Sequence, residues 1–452
     1  MKKYIFFVVG VMCTLLSHTV YAIDLNKSDA NIIGHVLEKK TGEHLPYMTV
    51  ALKGTTIGTM TDGTGHYFLK NLPEGEFTLS VSAVGYKPQE RKVTLKRGKT
   101  LEENFELEED MVALDGVVVT ANRNETARRL APTLVKVVTP KLFDMTNSHT
   151  LSQGLVFQPG VRVENDCQNC GYSQVRINGM DGKYTQILID SRPIFSALAG
   201  VYGLEQIPAN MIERVEVVRG GGSALFGSSA IAGTVNIITK EPLRNSGSFA
   251  HSISNFNGSG SFDNNTTLNL SLVSSDNKMG AYIYGQNRQR SAWDSNGDGF
   301  SELPKLKNQT VGVNAYYRLS PYSKLNLEYH HMEEFRRGGN RFDLPPHIAE
   351  DANLNGSGKP GLVEQIEHSI NTGGLKFSAF SKDQKHSFNA YASAQHIVRD
   401  SYYSAYGHTT DFTGVLGAQY IYHFDKLFFM PSDLTGGVEF NLSLIHISEP
   451  TR

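Results

Sequence analysis

The sequence predicts a mainly β protein, in which any part that crosses a membrane does so with strands. Three observations lead there. The 452 residues hold 43 Gly, 20 Tyr and 23 Phe against a single Trp, and only 19% are charged. That mixture favours strands and turns over helices, and its aromatics are too frequent for long disorder. Apolar and polar residues alternate through the second half, as at Leu268, Leu270 and Leu272, or Val311, Val313, Ala315, Tyr317 and Leu319. Beyond residue 22 no apolar run reaches the ~18 residues a spanning helix needs, which leaves only a closed set of strands. A formal charge of −2 supplies no basic field, so nucleic acid is excluded as a partner.

Residues 1–22 read as a secretory signal. Lys2 and Lys3 precede an apolar stretch from Tyr4 to Leu16, and Val20-Tyr21-Ala22 offers compact residues for cleavage. Cys13 leaves with that segment. The mature chain then keeps Cys167 and Cys170 in an oxidising compartment. Residues 32–108 come next, with turns at Thr41-Gly42, Asp62-Gly63, Pro73-Glu74-Gly75 and Gly85. Between the turns, Val50 and Leu52, Tyr67 and Leu69, and Phe77, Leu79 and Val81 alternate, which predicts a small Ig-like β-sandwich. The ordered set Asp62, Gly65, Tyr67, Leu72, Pro73, Gly75, Phe77, Gly85 and Tyr86 resembles the carboxypeptidase-regulatory-like domain. The resemblance implies a fold and no peptidase chemistry.

Residues 112–122 carry a β-branched run, Val117 to Val119, between Asp115 and Asn122. On pattern alone it is either a linker strand or a strand offered to the edge of a partner's sheet. Residues 125–242 follow. Their segment from Ile207 to Thr239, with Ile212, Glu213, Arg214, Val215, Glu216, Val217, Arg219, Gly220, Leu225, Gly227, Gly233, Asn236 and Ile238 in order, resembles the plug of TonB-dependent outer-membrane receptors. The earlier stretch Ile187 to Ile194 is similar to the strand and turn of that plug, with Ser191 where a Gly is usual. The resemblance implies a mixed α+β plug. It also implies that Asp115, Gly116, Val117, Val118, Val119, Thr120 and Ala121 form the TonB box, the strand that the TonB energy-transducing complex pairs with from the periplasm.

Residues 243–443, with roughly nine alternating strand segments counted from 246 to 445, fit the first part of a transmembrane antiparallel β-barrel in outer-membrane lipid. Receptors of this kind close with about 22 strands. The barrel is therefore expected to be incomplete, because an open edge in lipid leaves backbone groups unpaired. Residues 444–452 are expected to depart from the strand pattern as a non-native tail.

The candidate chemical sites are few. Cys167-Gln-Asn-Cys170 reads as a local disulfide, with metal or substrate contact as the alternative. Asp294, Asn296 and Asp298 resemble half of a Ca²⁺ loop; Lys305 occupies the twelfth position, so Glu302 would have to substitute, and a polar turn is the favoured reading. His330 and His331 fall on opposite strand faces, so they are read as solvated loop or rim residues. Gly220-Gly221-Gly222 lacks the Lys of a phosphate loop and reads as a tight turn. No catalytic constellation stands out, so no enzymatic activity and no resident cofactor are expected, apart from Ca²⁺ in an extracellular loop. The resemblance implies TonB-dependent uptake of a scarce nutrient, a ferric siderophore or heme, with cobalamin or metal-ion uptake as alternatives. Glycan importers share the front domain, but VRGGGSALFGS (residues 218–228) differs from their usual plug segment. A secreted soluble β-rich binding protein, a secreted hydrolase and an inactive receptor fragment are the readings from other classes.

Overall fold

The computed structural model describes residues 30–448 apart from 47, 84, 110–116, 119, 121–125, 128–133, 168–171, 194–206, 221–225, 352–360, 384 and 429. The signal segment lies outside the described residues.

The front unit packs two sheets face to face. Its strands are β1 (Ala30–Glu38), β2 (Thr49–Leu52), β3 (Gly58–Met60), β4 (His66–Leu72), β5 (Gly75–Ser82), β6 (Gln89–Leu95), β7 (Thr100–Glu102) and β8 (Phe105–Leu107). One sheet runs β4-β1-β7 with β8 also on β1, and the other runs β3-β2-β5-β6. The inward residues of the alternating runs, Val50, Leu52, Leu69, Leu79 and Val81, are all buried in one core with Val36 and Leu107. Each such side chain contributes roughly 1.5–3 kcal/mol by leaving water. The turn before β4 is built on Asp62, whose Oδ1 accepts from Thr64 N, Thr64 Oγ1 and His66 N. The Thr64 hydroxyl holds that carboxyl below its ordinary range. The unit rests on the wall described below: Thr56 N donates to Pro321 O at 2.9 Å, and Tyr322 packs on the sandwich core.

Two short strands, β9 (Val117–Val118) and β10 (Thr126–Ala127), pair antiparallel. The second body comprises β11 (Val135–Val138), α1 (Pro140–Met145), α2 (Leu151–Leu155), β12 (Val161–Cys167), β13 (Tyr172–Ile177), β14 (Thr185–Ile189), β15 (Ile212–Arg219) and β16 (Gly233–Thr239). Its central sheet is ordered β11-β15-β16-β14, with β14 parallel to β16, and β12-β13 forms a separate hairpin. This is the mixed α+β body the sequence predicts.

The last nine strands form one antiparallel meander: β17 (Ser246–Asn255), β18 (Phe262–Val273), β19 (Met279–Arg290), β20 (Lys305–Ser320), β21 (Ser323–Gly339), β22 (Val363–Phe380), β23 (His386–Tyr403), β24 (Tyr406–Leu427) and β25 (Met430–Ser448). The strand segments read from alternation are present. Their apolar faces point outward, with Leu268, Val311, Leu327 and Leu375 exposed, while Asp263, Arg288, Asn308, Glu334 and Thr372 are buried on the other face. Polar-in and apolar-out is the signature of a lipid-facing wall. Among the described residues no helix is long and apolar enough to cross a membrane. β17 and β25 are the two ends of the sheet and do not pair with each other, so the barrel is open.

Two expectations are corrected here. The sequence reading has residues 444–452 leave the strand pattern, yet β25 continues through Leu444, Ile445, His446 and Ile447 to Ser448, in register with Phe412 to His408 of β24. β-branched Ile445 and Ile447 suit a pleated ladder, and the neighbouring strand supplies the backbone partners. The same reading puts His330 and His331 in a loop or rim, but both lie within β21, opposite Gly312 and Val311 of β20. β21 is 17 residues long, more than the 9–11 a strand needs to span a bilayer, so polar residues are carried within the ladder.

Cross-strand Gly–Tyr pairs recur on the wall. Gly312 faces Tyr284, Gly280 faces Tyr316 and Gly417 faces Tyr391. A Cβ at Gly312 would stand 2.2 Å from the Tyr284 ring. The glycines give those rings space to lie flat over the sheet.

Candidate functional site at the plug edge and the inner wall

The site is assembled where the α+β body meets the wall. Tyr282 and Tyr284 of β19 are part of the same core as Ile187, Val215, Val217, Val235 and Ile237. Tyr282 Oη donates to Asn210 O at 2.8 Å, and Asn210 Nδ2 donates to Asn269 Oδ1 at 2.8 Å. On the inner face, Arg288 clamps Asp263 through two nitrogens, Nε to Oδ1 at 3.0 Å and Nη2 to Oδ2 at 2.6 Å, a bidentate buried pair.

The strongest crossing contact is Arg192. Its side chain is buried and places Nη2 2.5 Å from Glu328 Oε2 on β21, while Nη1 donates to Ser393 Oγ on β23 at 3.2 Å. Asp190 Oδ2 is 3.6 Å from Arg192 Nη2. Burial pushes the Asp190 carboxyl up, against the pull of Arg192. Asp190 stays tied to β16, where Thr239 N and Oγ1 donate to it at 3.0 and 2.7 Å. Gly374 is opposite Glu328, and a Cβ there would stand 2.6 Å from Glu328 Oε1 and 2.7 Å from Arg192 Nη1. A side chain at 374 would therefore wedge the bridge apart.

Ser191 takes φ +65°, a left-handed conformation that L side chains enter at a cost of roughly 1–2 kcal/mol. This explains why a glycine is usual at the position. The serine is compensated: its N donates to Asn236 Oδ1 at 2.9 Å, and its Oγ accepts from Asn236 Nδ2 at 3.0 Å.

Asn236 leads to the 112–122 segment. Thr120 is buried against the central sheet. Its N and Oγ1 both donate to Glu216 Oε2, at 2.8 and 2.6 Å, and its Oγ1 accepts from Asn236 Nδ2 at 2.9 Å. Glu216 is fully buried, sits opposite Asn236 in the β15–β16 ladder, and accepts from Arg214 Nε at 2.8 Å through Oε1. The segment read as a free pairing strand is thus held at both ends of its described part, by β10 at Val117 and Val118 and by Glu216 at Thr120. Asp115, Gly116, Val119 and Ala121 lie outside the described residues. Sequence reasoning missed Glu216, Asn236, Arg192 and Glu328 as a connected set. They are separated by up to 136 residues, and only the buried-strand position of a carboxylate at 216 hinted at a partner.

Cys167 ends β12, and residues 168–171, which include Cys170, lie outside the described residues. The loop between β19 and β20 brings ligand-capable oxygens of Asp294, Asp298 and Glu302 within 4.8 Å of one another. The two aspartates already accept from the loop's own amides: Asp294 from Gly297 N and Gly299 N, and Asp298 from Phe300 N. Asn296 Oδ1 accepts from Asp298 N in the same way. The backbone amides, led by Gly299, hold the Asp294 carboxyl below its ordinary range. His331 turns to Asn371 on the outer face, 2.9 Å from Nδ1 to Oδ1, and does not share a site with His330. Gly220 has φ +71°, as its reading as a turn glycine requires.

A wall of strands, apolar outside and polar inside, packed on an α+β body that clips the segment before it, is the arrangement of part of a plugged membrane β-barrel. Residues 32–119 match the CarboxypepD_reg-like domain and residues 127–234 match the TonB-dependent Receptor Plug Domain. The chain carries these two domains of a TonB-dependent receptor together with an open portion of its barrel, and its place is the outer membrane. Over 176 residues it is 35% identical to a vitamin B12 transporter, BtuB, of Vibrio vulnificus, covering 37% of this chain and 28% of that protein. It is 37% identical over 128 residues to BtuB of Photobacterium profundum, covering 28% of this chain and 20% of that one. Among solved structures it resembles the siderophore receptor PirA of Acinetobacter baumannii, with TM-score 0.57 and 20% identity over 70% of this chain and 49% of that one. The alcaligin outer membrane receptor FauA of Bordetella pertussis gives TM-score 0.55 and 16% identity over 74% and 51%. The match thus spans under a third of the length of the curated relatives and about half that of the solved receptors.

Proposed function

We propose that the parent protein imports a scarce nutrient across the outer membrane in a TonB-dependent, non-enzymatic cycle. The observation that carries this reading is the buried clip of Thr120 on Glu216 and Asn236, directly beside the strand that would pair with TonB. In that cycle a small-molecule ligand enters from outside and meets the apex of the plug. The plug loosens its hold on Thr120 at the periplasmic side, and TonB adds the segment 115–121 to its own sheet through backbone hydrogen bonds. Val117→Pro removes a backbone donor from the paired strand. In a pull-down with the periplasmic part of TonB the proline variant is expected to be lost from the complex, and undiminished capture would overturn the assignment of the segment.

For the ligand, two readings have support. The curated relatives with 35% and 37% identity are vitamin B12 transporters, which favours a corrinoid. The sequence reading favours a ferric siderophore or heme, on the form of its plug segment. Uptake of labelled cyanocobalamin and of labelled ferric chelates by cells with and without a working TonB decides between them. Uptake of neither would sink the transport reading.

A further inference from the structure

The front sandwich contains three histidines, His35, His44 and His66, and all three meet at one place. They come from three separate pieces of chain: β1, the β1–β2 connection and the start of β4. The ring centroids are 5.3 Å apart for His35 and His44, 5.7 Å for His35 and His66, and 4.8 Å for His44 and His66. Three imidazoles around one tetrahedral ion, with nitrogen about 2.0–2.1 Å from the metal, place their centroids roughly 5 Å apart. The observed triangle has that size. Turning the His35 and His44 rings to aim a nitrogen of each toward His66 uses the broad χ2 torsion of histidine, which has no sharp wells to oppose it.

The backbone beneath the rings is fixed. His35 stands opposite His66 in the β1–β4 ladder, and His35 N donates to Asn104 Oδ1 at 3.0 Å. His44 bridges to Leu37, and the next residue is bonded back to β1 by Leu45 N to Val36 O at 2.8 Å. Gly65 has φ +78°, and a Cβ there would come within 2.8 Å of His44 Cβ, so the glycine keeps the space that His44 occupies.

The tautomer of His66 is also set. The Thr64 hydroxyl donates to Asp62 Oδ1 at 2.7 Å, which leaves its lone pair to accept from His66 Nδ1 at 3.1 Å. Nδ1 therefore carries the proton, and Nε2 presents a free lone pair. A hydrogen-bond acceptor on the second ring nitrogen is the usual support for a metal-binding imidazole, and here the Thr64 hydroxyl, itself fixed by Asp62, takes that place. No step of the proposed transport cycle uses these three side chains. His44 and His66 are exposed and His35 is half-buried, so an ion has a path to the rings and water can fill a fourth position.

We propose that His35, His44 and His66 form a three-imidazole site for a divalent late first-row cation, Zn²⁺ or Cu²⁺, on the front domain. Imidazole ligands suit these ions, and a set without thiolate or carboxylate discriminates against Ca²⁺ and Mg²⁺. Binding would tie the β1–β2 connection to β4 and stiffen the edge of the sandwich.

The test uses the full chain in detergent micelles, with Cys167 and Cys170 changed to Ser so that thiolates take no metal. Zn²⁺ is titrated by equilibrium dialysis, and Co²⁺ is used as a coloured substitute whose visible band reports coordination number. One equivalent of Zn²⁺ at micromolar affinity or tighter, with an intense four-coordinate Co²⁺ band, is expected. His44→Ala and His66→Ala should abolish the band, and Thr64→Val should weaken binding by about tenfold or more through the lost support of His66. Asp294→Asn should leave the titration unchanged. The His44, Thr64 and His66 side chains are at the surface, and an unchanged far-ultraviolet circular dichroism spectrum shows each variant folded. A wild-type chain that binds no equivalent tighter than millimolar overturns the site, as does a His44→Ala variant that keeps the full affinity and the band.

Discussion

Thr120→Val tests the clip most directly. Valine keeps the shape and β preference of threonine, so the segment can still add to a partner strand. It removes the hydroxyl that donates to Glu216 Oε2 at 2.6 Å and accepts from Asn236 Nδ2 at 2.9 Å. The backbone bond from Thr120 N to Glu216 Oε2 remains, and Asn236 Nδ2 keeps Ser191 Oγ as a partner. The loss is therefore close to one hydrogen bond to a charged acceptor, about 1.5–3 kcal/mol. At about 2 kcal/mol the ratio of undocked to docked segment rises roughly 30-fold. A spin label on a cysteine introduced at Val119, in a chain whose other cysteines are serine, reads this ratio as the mobile fraction of the spectrum. TonB capture without ligand should rise with it. A label equally immobile in wild type and Thr120→Val would refute the clip, since the loss of its strongest side-chain bond would then have no effect on docking.

Ser191 offers a paired test of strain against bonding. Ser191→Ala keeps φ +65° and loses the Oγ acceptor, so it should lower the melting free energy by about 1 kcal/mol. Ser191→Gly loses the same bond but relieves about 1 kcal/mol of backbone strain and should melt near wild type. Equal melting temperatures for the two variants would remove strain from the account. In the loop between β19 and β20, Asp294 has a lowered folded pKa, so the order it confers is present above the ordinary aspartate pKa and is lost as pH falls through the lower folded value. Hydrogen exchange at Gly297 and Gly299 should stay slow at pH 5 and become fast only below about pH 4, the ordinary aspartate range. Removing divalent ions with a chelator should leave it slow, because amides already fill the carboxylate. Exchange that quickens on chelation would instead show an ion holding the loop.

Much of the architecture was legible because period-two alternation and turn residues are local signals. The runs at Leu268 to Leu272 and Val311 to Leu319 identified strands, and Gly75 and Gly85 identified turns whose positive φ values need glycine. Alternation does not say which face meets solvent, since a soluble sandwich shows the same period. The orientation came from placing Asp263 and Arg288 inside and Leu268 outside. The misreading of His330 and His331 has the same origin: polarity marks a loop in a protein surrounded by water, whereas in a long barrel strand His330 takes the inner face and His331 is carried on the outer face by its bond to Asn371. The site was less legible, because its bonds join distant residues. Thr120 and Glu216 are 96 positions apart, and Arg192 and Glu328 are 136 apart. No spacing rule relates them, and each taken alone is an ordinary residue on a strand or turn.

The route from the inner wall to Thr120 is short in space. Glu328 on β21 holds Arg192; Ser191, its neighbour, is bonded twice to Asn236; and Asn236 is bonded to Thr120. One guanidinium side chain, one peptide unit and one amide side chain thus separate a wall residue from the buried threonine. Every member is buried or half-buried and makes at least one hydrogen bond, and Arg192 directly follows the left-handed turn at Ser191, so displacing Arg192 from Glu328 acts on that turn. That turn holds Asn236 through both its oxygen and its nitrogen, so it cannot shift without changing what Asn236 offers Thr120. Proximity alone is not coupling, since coupling requires that a change at one end alter the equilibrium at the other. The clip supplies the two-state element that coupling needs: Thr120 docked on Glu216 or released from it. Because Glu216 is fully buried, release takes two donors from a carboxylate that water does not reach, which makes the undocked state costly until something else lowers the difference. A perturbation at Arg192 that reached Thr120 would need to supply only the few kcal/mol held in that one cluster of hydrogen bonds, without unfolding the sheet beneath it.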